Sequence, residues 1–209
     1  MKRLRNMKGF VFFVVLGLVL SVFGKFAGAE ELDINGDFEE IATYVSKAII
    51  ERAESLNFKL ESPLILPAKW TLNLTATAKD GEFRFIQDKS QSKSGNNCIY
   101  LKGHIMTPTI FEVSAGDEVE VTFFAKNPEK SEIFFYLYGY GKTEGKYASI
   151  GSLFFKTTTE SEWSEKTGKL SIPEKVNNKE LNGIRIAFTN KDGAFIDNLK
   201  VNLKKATKE

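Results

Sequence analysis

From Trp70 onward, apolar and polar residues alternate with a period of two, which is the pattern of β-strands that bury one face. Clear examples are DEVEVTFFAKN (117–127), EIFFYLYGY (132–140) and GIRIAFTN (183–190). Clusters of Gly, Asn, Asp, Ser and Pro separate ten such segments. Many short alternating strands with turns at this spacing predict an all-β fold, a two-sheet antiparallel β-sandwich of the jelly-roll type.

One segment ahead of these strands has helical spacing instead. Its apolar residues recur every three or four positions, at Ile41, Val45, Ile49 and Ala53. This spacing predicts a helix over 41–56 within an N-terminal insert of about 41–62, and Pro63 prevents the helix from continuing. The sandwich domain is predicted to span 30–204, and the polar end of the chain, 205–209, reads as a disordered tail.

The first 29 residues have the organisation of a secretory signal peptide. A basic start, MKRLRNMK, precedes an apolar run over residues 9–24, and AGA at 27–29 is a small-x-small cleavage signal. The run of 16 residues is shorter than the roughly 20 that span a bilayer. The expected location is therefore outside the cytoplasm, secreted or in the periplasm or cell envelope, with no membrane association after cleavage at Glu30.

Removal of this leader changes the charge of the chain. Five of the 29 Lys and Arg residues lie in the first 25 positions, which contain no Asp or Glu, so 24 basic residues face 27 acidic ones in the remainder. The excess of basic residues thus belongs to the leader, and it does not indicate nucleic-acid binding. The single cysteine, Cys98, excludes an internal disulfide and is expected to be a small buried residue.

Signals for catalysis are absent from the sequence. His104 is the one histidine, and no nucleophile-elbow, zinc-protease or phosphate-loop motif occurs. Paired carboxylates for glycoside hydrolysis need a defined separation that a sequence does not reveal. We therefore expect a protein that is not an enzyme.

Asp197 presents a problem for the last predicted strand. Counting back with period two from Leu199, Asp197 falls on the apolar side, where an uncompensated carboxylate would be costly. The first and last strands of a sandwich are often neighbours, so Asp37 or Glu39 can approach Asp197. Converging carboxylates repel unless a cation lies between them, and Ca²⁺ prefers such oxygen ligands. An Asp that turns to solvent or caps the NKDG turn is the alternative.

Several segments also follow one another in an order typical of a known family. NGDFE (35–39) is followed by Trp70 and by QDKSQSKSGNNCIYLKG (87–103). FEVSAGDEVEVTFFAKN, FKTTTESEWSEKTGKLSIP and GIRIAFTNKDGAFIDNLKVNL then complete the order. Over 35–39 and 68–203 the chain resembles a carbohydrate-binding module of the type attached to bacterial cellulases and xylanases, with a galactose-binding-like jelly roll.

The resemblance implies a structural Ca²⁺ that links the two ends of the domain. Its ligands would be the Asp37 carbonyl, the Glu39 side chain, backbone oxygens of the loop 88–95, and Asp197. Trp70 and Trp163 match positions that usually belong to the core. The insert at 40–66 departs from the family pattern, because members usually reach the Trp through a shorter loop, and it could cover a binding surface.

A sugar site needs exposed aromatic rings with polar groups around them. On the strand 132–141 the Tyr side is the outward face, since Tyr has a polar end. If neighbouring strands share that sheet, the outward residues Tyr136, Tyr138, Phe124, Glu120 and Arg185 form an aromatic and polar groove. The sequence therefore predicts a non-catalytic module that binds polysaccharide. The alternative is a structural jelly roll of the cell envelope, without sugar binding, whose partner is another secreted protein.

Overall fold

The computed structural model describes residues 26–42, 45–75 and 78–207, and nearly every regular segment in them is a strand. One helix, α1, spans Lys47–Ser55. The strands are β1 (Phe26–Glu31), β2 (Lys59–Leu60), β3 (Thr71–Leu72), β4 (Glu82–Gln87), β5 (Asn97–Met106), β6 (Phe111–Glu112), β7 (Glu118–Lys126), β8 (Glu132–Thr143), β9 (Lys146–Thr158), β10 (Ser164–Ser171), β11 (Lys175–Val176), β12 (Lys179–Glu180) and β13 (Gly183–Ala206). The predicted all-β sandwich with one short helix is confirmed.

The long strand β13 belongs to both layers of the sandwich. Its first part pairs with β8 over 183–190 and with β5 over 187–196. Its second part pairs with β7 over 195–204 and with β1 over 202–206. One layer therefore runs β9-β8-β13-β5-β4-β2 and the other β10-β7-β13-β1. The pairing is antiparallel except between the short strands β2 and β4.

The core lies between the two layers and follows the predicted alternation. On β7, Val119, Val121 and Phe123 are buried, whereas the residues between them are partly exposed. Ile133, Phe135 and Leu137 occupy the equivalent positions on β8. The Phe188 ring packs edge-on against the rings of Phe123 and Phe135, with centroids 5.0 and 5.4 Å apart. These contacts join β13 to β7 and β8, so the two layers share one core.

A β-bulge in β13 corrects the predicted position of Asp197. Asp197 lies opposite Phe124 and Lys200 lies opposite Thr122, so β13 has one residue more than β7 over this interval. Asn198 takes up the extra length with φ of 48°. The bulge reverses the side to which β13 side chains point, so Ile196 faces the core and Asp197 shares the outer face with Phe124. The prediction that Asp197 points to the apolar side is therefore wrong.

The helix of the insert is shorter than the predicted 41–56. Ser46 has an extended backbone and precedes the first helical residue, Lys47. Ala53 is the buried residue of α1, whereas Ile41, which the helical pattern included, forms a β-bridge with Pro67 and is 43% exposed. Residues 43 and 44 of the insert lie outside the described residues.

The two tryptophans have different environments. Trp70 is buried, as predicted, and its indole N–H donates to the Asn35 carbonyl. Trp163 is partly exposed, and the Lys126 ammonium lies 4.7 Å from its ring centroid, so the prediction that it belongs to the core is wrong. Cys98 is buried, as predicted, and burial raises the pKa of its thiol to about 11.

The two ends of the domain lie together, because β1 pairs with the last residues of β13. Lys205 and Ala206, predicted as part of a disordered tail, belong to this strand, and both donate to the carboxylate of Asp117 at 3.0 Å. Residues 208 and 209 lie outside the described range, as does most of the predicted signal peptide. In the part of the chain that is described, no helix is both long and apolar enough to span a membrane.

Export remains a prediction from the sequence. We expect the protein recovered from the exported fraction to begin at Glu30, because the small residues Ala27 and Ala29 lie three positions and one position before the cleavage. N-terminal sequencing checks this. The described strand β1 begins at Phe26, so cleavage at this point would leave Glu30 and Glu31 of the strand. A mature N-terminus at Met1 would contradict the predicted signal peptide.

The bulge can be tested by substitution of Asn198. We expect Asn198→Val to lower the free energy of unfolding by about 1–2 kcal/mol, because a branched side chain is strained at positive φ, and Asn198→Gly to cost less. Chemical denaturation measures both. Asn202→Val is the matched control, since Asn202 lies in regular strand of β13. Equal stability of the two valine variants would contradict the bulge.

Candidate functional site

A row of stacked aromatic rings covers the outer face of β8. The Tyr136 and Tyr138 rings are within 10° of parallel, with centroids 5.6 Å apart. Phe134 continues the row, with its centroid 6.1 Å from that of Tyr136. Side chains two residues apart on one face of a strand stand side by side, which explains the stack. The prediction that the Tyr side of this strand faces outward is confirmed.

His104 joins this row from β5, on the other side of β13. Its ring is stacked on Tyr138 with centroids 5.4 Å apart and on Tyr136 with centroids 6.4 Å apart. β5 and β8 are both hydrogen-bonded to β13 and so lie two strand spacings apart. Ala187, opposite Tyr136 on β13, carries only a methyl group and leaves room for rings from both sides to meet.

The polar atoms of His104 are only half satisfied. Nδ1 lies 3.2 Å from the Thr189 hydroxyl, whereas Nε2 is buried and has no hydrogen-bond partner among the described residues. Burial lowers the pKa of His104 to about 4, so the imidazole is neutral at physiological pH. A neutral imidazole has one donor and one acceptor nitrogen, which leaves Nε2 able to bond to a ligand.

A cleft of about 480 Å³ opens beside these rings. Its lining combines aromatic, hydroxyl, ammonium and backbone groups from β5, β8, β13 and the 78–81 turn: Ala78, Lys79, Gly81, Lys102, Gly103, His104, Tyr136, Tyr138, Thr189, Asn190 and Lys191. Among the described residues of the lining, none belongs to α1. The helix of the insert therefore does not cover Tyr136 and Tyr138.

The stack changes what the two tyrosines can offer a ligand. Because the Tyr136 and Tyr138 rings are nearly parallel neighbours with centroids 5.6 Å apart, each partly covers one face of the other. Phe154, opposite Tyr136 on β9, is 53% exposed and supplies the more open aromatic surface. Tyr136 and Tyr138 therefore offer a ligand less open ring surface than a row of separate exposed rings would.

The five residues of the predicted groove do not come together. Arg185 lies opposite Tyr138, and its guanidinium is 5.2 Å from the Tyr140 ring centroid. Phe124 and Glu120 lie on β7, which pairs with the second part of β13 in the other layer.

The side chains on β7 have other partners. The Lys93 ammonium lies 4.8 Å from the Phe124 ring centroid. Glu120 forms ion pairs with Lys169 and Lys204, which lower its pKa below the ordinary value. Phe124 and Glu120 are therefore separate from the cleft, and the predicted single groove has to be reduced to Tyr136, Tyr138 and the neighbouring Arg185.

Asp197 is fully buried on the outer face of its sheet, beneath the loop before β5. Its Oδ2 accepts the backbone N–H groups of Lys93 and Ser94 at 2.7 and 2.8 Å, and Oδ1 accepts that of Asn198. Burial raises the pKa of Asp197 above its ordinary value; the three N–H donors oppose this shift and the charge of Glu39 adds to it.

Glu39 holds the same loop a few residues further on. Its Oε1 accepts the backbone N–H groups of Asn96 and Asn97 at 2.6 and 2.9 Å. The structure thus brings Glu39 and Asp197 to one loop, as predicted from the two ends of the chain. Asp37 is exposed, and its carboxylate accepts the N–H of Glu39 at 3.3 Å.

The loop held by Glu39 and Asp197 has one property that favours a bound cation and one that does not. Neither Glu39 nor Asp197 forms an ion pair with a described Lys or Arg, so two negative charges share the loop without a cationic partner. Within the described residues, however, no three His, Cys, Asp or Glu side chains form a metal-binding group. A cation here would need backbone oxygens in addition to the two carboxylates, a ligand set that suits Ca²⁺.

His104 and Phe154 are the site residues that the sequence pattern did not identify. As the one histidine of the sequence, His104 is a candidate only for a catalytic role, and no neighbouring residue in the sequence supports that role. The register of β5 and β8 against β13 brings it to the tyrosines, and that register joins segments about 85 and about 50 residues apart. Phe154 lies in a strand whose outward face could have been read from its alternation.

The chain is similar to known proteins in fold. No protein-family model and no curated protein sequence matches the chain. It is similar in structure to the CBM22-1 xylan-binding domain of Paenibacillus barcinonensis Xyn10C, at 12% identity and a TM-score of 0.43, over 66% of this chain and 87% of the other. Carbohydrate-binding modules of families 4 and 16 are among the other similar structures.

Two further matches belong to enzymes. The chain is similar to the CBM22-1–GH10 modules of Clostridium thermocellum xylanase 10B, at 15% identity and a TM-score of 0.42, over 66% of this chain and 26% of the other. A cyclase from Fischerella sp. TAU is matched at 11% identity and a TM-score of 0.48, over 87% of this chain and all of the other. At these identities and TM-scores the similar structures do not indicate a ligand, which has to be argued from the side chains of this protein.

Proposed function

We propose that this protein is a non-catalytic carbohydrate-binding protein, and that polysaccharide binds in the cleft beside His104, Tyr136 and Tyr138. The observation that carries the proposal is the buried, unpartnered Nε2 of His104 among the aromatic rings. A buried polar atom without a partner costs about 1–3 kcal/mol. A ligand hydroxyl that reaches Nε2 would remove that cost.

The other groups of the cleft suit the same type of ligand. Ring edges and the methyl of Ala78 provide apolar contact for the C–H groups of a sugar, while Tyr and Thr hydroxyls and lysine ammonium groups provide polar contact. The side-chain amide of Asn190 is occupied: its nitrogen donates to the Ser131 hydroxyl and the Glu132 carbonyl, and its oxygen accepts the backbone N–H groups of Asp192 and Gly193. Asn190 therefore shapes the cleft rather than binding the ligand.

The glycan site can be tested with a substitution that keeps the ring stack. We expect His104→Phe to weaken binding of a polysaccharide about tenfold, because it removes Nε2 and retains an aromatic ring. Tyr138→Phe, which removes one hydroxyl, is expected to weaken binding by a smaller factor. A glycan array identifies a polysaccharide that binds the wild-type protein, and isothermal titration calorimetry measures the affinities.

Tyr147→Phe is the matched control, since Tyr147 is an aromatic residue of β9 whose hydroxyl bonds to Glu112 instead of lining the cleft. Its affinity should equal that of the wild-type protein. Absence of glycan binding by the wild-type protein would contradict the proposed function and favour the structural or protein-interaction alternative. Unchanged affinity of His104→Phe would exclude this cleft as the site.

We further propose that Ca²⁺ stabilises the fold at the loop held by Glu39 and Asp197. The two carboxylates without a described cationic partner support this proposal, and the raised pKa of Asp197 indicates that its negative charge is poorly compensated. When bound, the ion would supply positive charge that allows both carboxylates to remain ionised beside each other. Asp37 would contribute through its backbone, because its carboxylate is engaged in its own turn.

Calcium binding is tested by thermal and chemical denaturation. After treatment with a chelator, addition of Ca²⁺ at a hundred- to thousand-fold excess over Kd should raise the free energy of unfolding by about 3–4 kcal/mol. Asp197→Asn, which keeps a hydrogen-bond acceptor and removes the charge, should lose most of this increase. Asp117→Asn is the control, because Asp117 is equally buried but pairs with Lys205. No response of the wild-type protein to Ca²⁺ would contradict the proposal.

A further inference from the structure

The cleft proposed as the glycan site has three lysines in its lining. Lys79 comes from the turn before β4, Lys102 from β5, and Lys191 from the bulged part of β13. No Asp or Glu is among the described residues that line the cleft. None of the three lysines forms an ion pair with a described residue, so their charges are available to a ligand.

The acidic residues closest in sequence have partners other than these lysines or lie outside the lining of the cleft. Asp80 follows Lys79, but its carboxylate accepts a hydrogen bond from the Asn57 amide at 2.8 Å. Glu82 lies opposite Lys102 on the neighbouring strand, but its carboxylate is paired with Arg84 at 3.0 Å. Asp192 follows Lys191 and is not part of the lining. Among the described residues, none of these three carboxylates forms an ion pair with a lysine of the cleft.

This local charge is opposite in sign to the charge of the domain. From residue 26 to the end, 24 basic residues face 27 acidic ones, so the domain has a small net negative charge. Three lysines that have no ion-pair partner among the described residues can attract the anionic groups of a ligand to this cleft. A neutral polysaccharide would make no use of this attraction.

We propose, on the basis of the carbohydrate-binding function proposed above, that the ligand is an anionic polysaccharide. Its carboxylate or sulfate groups contact Lys79, Lys102 and Lys191, while the neutral parts of its sugar rings contact the aromatic row and His104. Lysine ammonium groups act as point charges on flexible stems, so both kinds of anionic group fit the same chemistry.

The arrangement of the rings favours a polysaccharide over a single-stranded nucleic acid. Nucleic-acid bases stack on free aromatic faces. In the cleft, the nearly parallel rings of Tyr136, Tyr138 and His104 lie against one another, and Phe154, the most exposed aromatic residue of the described part of the chain, is not part of the lining. Hydroxyl groups and ring edges are suited to sugar hydroxyls and C–H groups instead.

The test compares anionic glycans with neutral counterparts of the same backbone. Calorimetric titrations use oligogalacturonide and its full methyl ester, and dextran sulfate and dextran, at low and high salt. We expect at least one anionic glycan to bind about tenfold more tightly than its neutral counterpart, and to lose this advantage at high salt. Tighter binding of oligogalacturonide identifies carboxylate as the recognised group, and tighter binding of dextran sulfate identifies sulfate.

The triple variant Lys79→Gln, Lys102→Gln and Lys191→Gln should remove the advantage of the anionic glycan. The control changes three exposed lysines outside the cleft by the same charge, Lys59→Gln, Lys146→Gln and Lys179→Gln, and should keep it. Melting temperatures confirm that both variants are folded. Equal losses in the two triple variants would show a nonspecific charge effect and overturn the inference.

The remaining outcomes separate this inference from the proposed function. Equal binding of anionic and neutral glycans would overturn the anionic specificity and leave carbohydrate binding intact. Binding of none of the four glycans, together with a glycan array without hits, would overturn both. A single-stranded oligonucleotide that displaces the anionic glycan at the same charge concentration would also overturn the inference, because the cleft would then select charge without selecting a sugar.

Discussion

The structure depends on one strand, β13, that pairs with both layers of the sandwich and changes phase between them. A strand that keeps strict alternation over its whole length would present one set of side chains to the core throughout. The extra residue at Asn198 breaks this rule, so that Ile196 and Leu199 both reach the core while Asp197 turns outward. The bulge thus preserves an apolar core and delivers a carboxylate to the loop before β5.

Because the two parts of β13 pair with different strands, they also position two sites of different charge. The bulge of β13 places Asp197 with Glu39 at a loop where negative charge lacks a described cationic partner. The register of its first part brings His104 and the β8 tyrosines to a cleft with lysines in its lining. A cation and an anionic ligand can therefore be proposed for the same small domain without competing for the same groups.

The cleft illustrates how ring orientation decides the chemistry of an aromatic surface. A row of tyrosines suggests flat platforms, yet rings that stack on their neighbours on the same strand expose edges and hydroxyl groups. The small side chain of Ala187 allows His104 to join the stack from two strands away. The result is a concave site with one buried, unpartnered nitrogen, which is the feature from which we argue ligand binding.

The sequence by itself determined the strand content, the inward and outward residues of β7 and β8, and the burial of Trp70 and Cys98, because alternation and apolar character are local properties of the chain. It also associated Glu39 with Asp197. Only the tertiary structure decided which strands are neighbours, and hence that Phe124 and Glu120 lie in a different layer from Tyr138. Strand pairing and bulges depend on packing between segments distant along the chain, and no local pattern encodes that register.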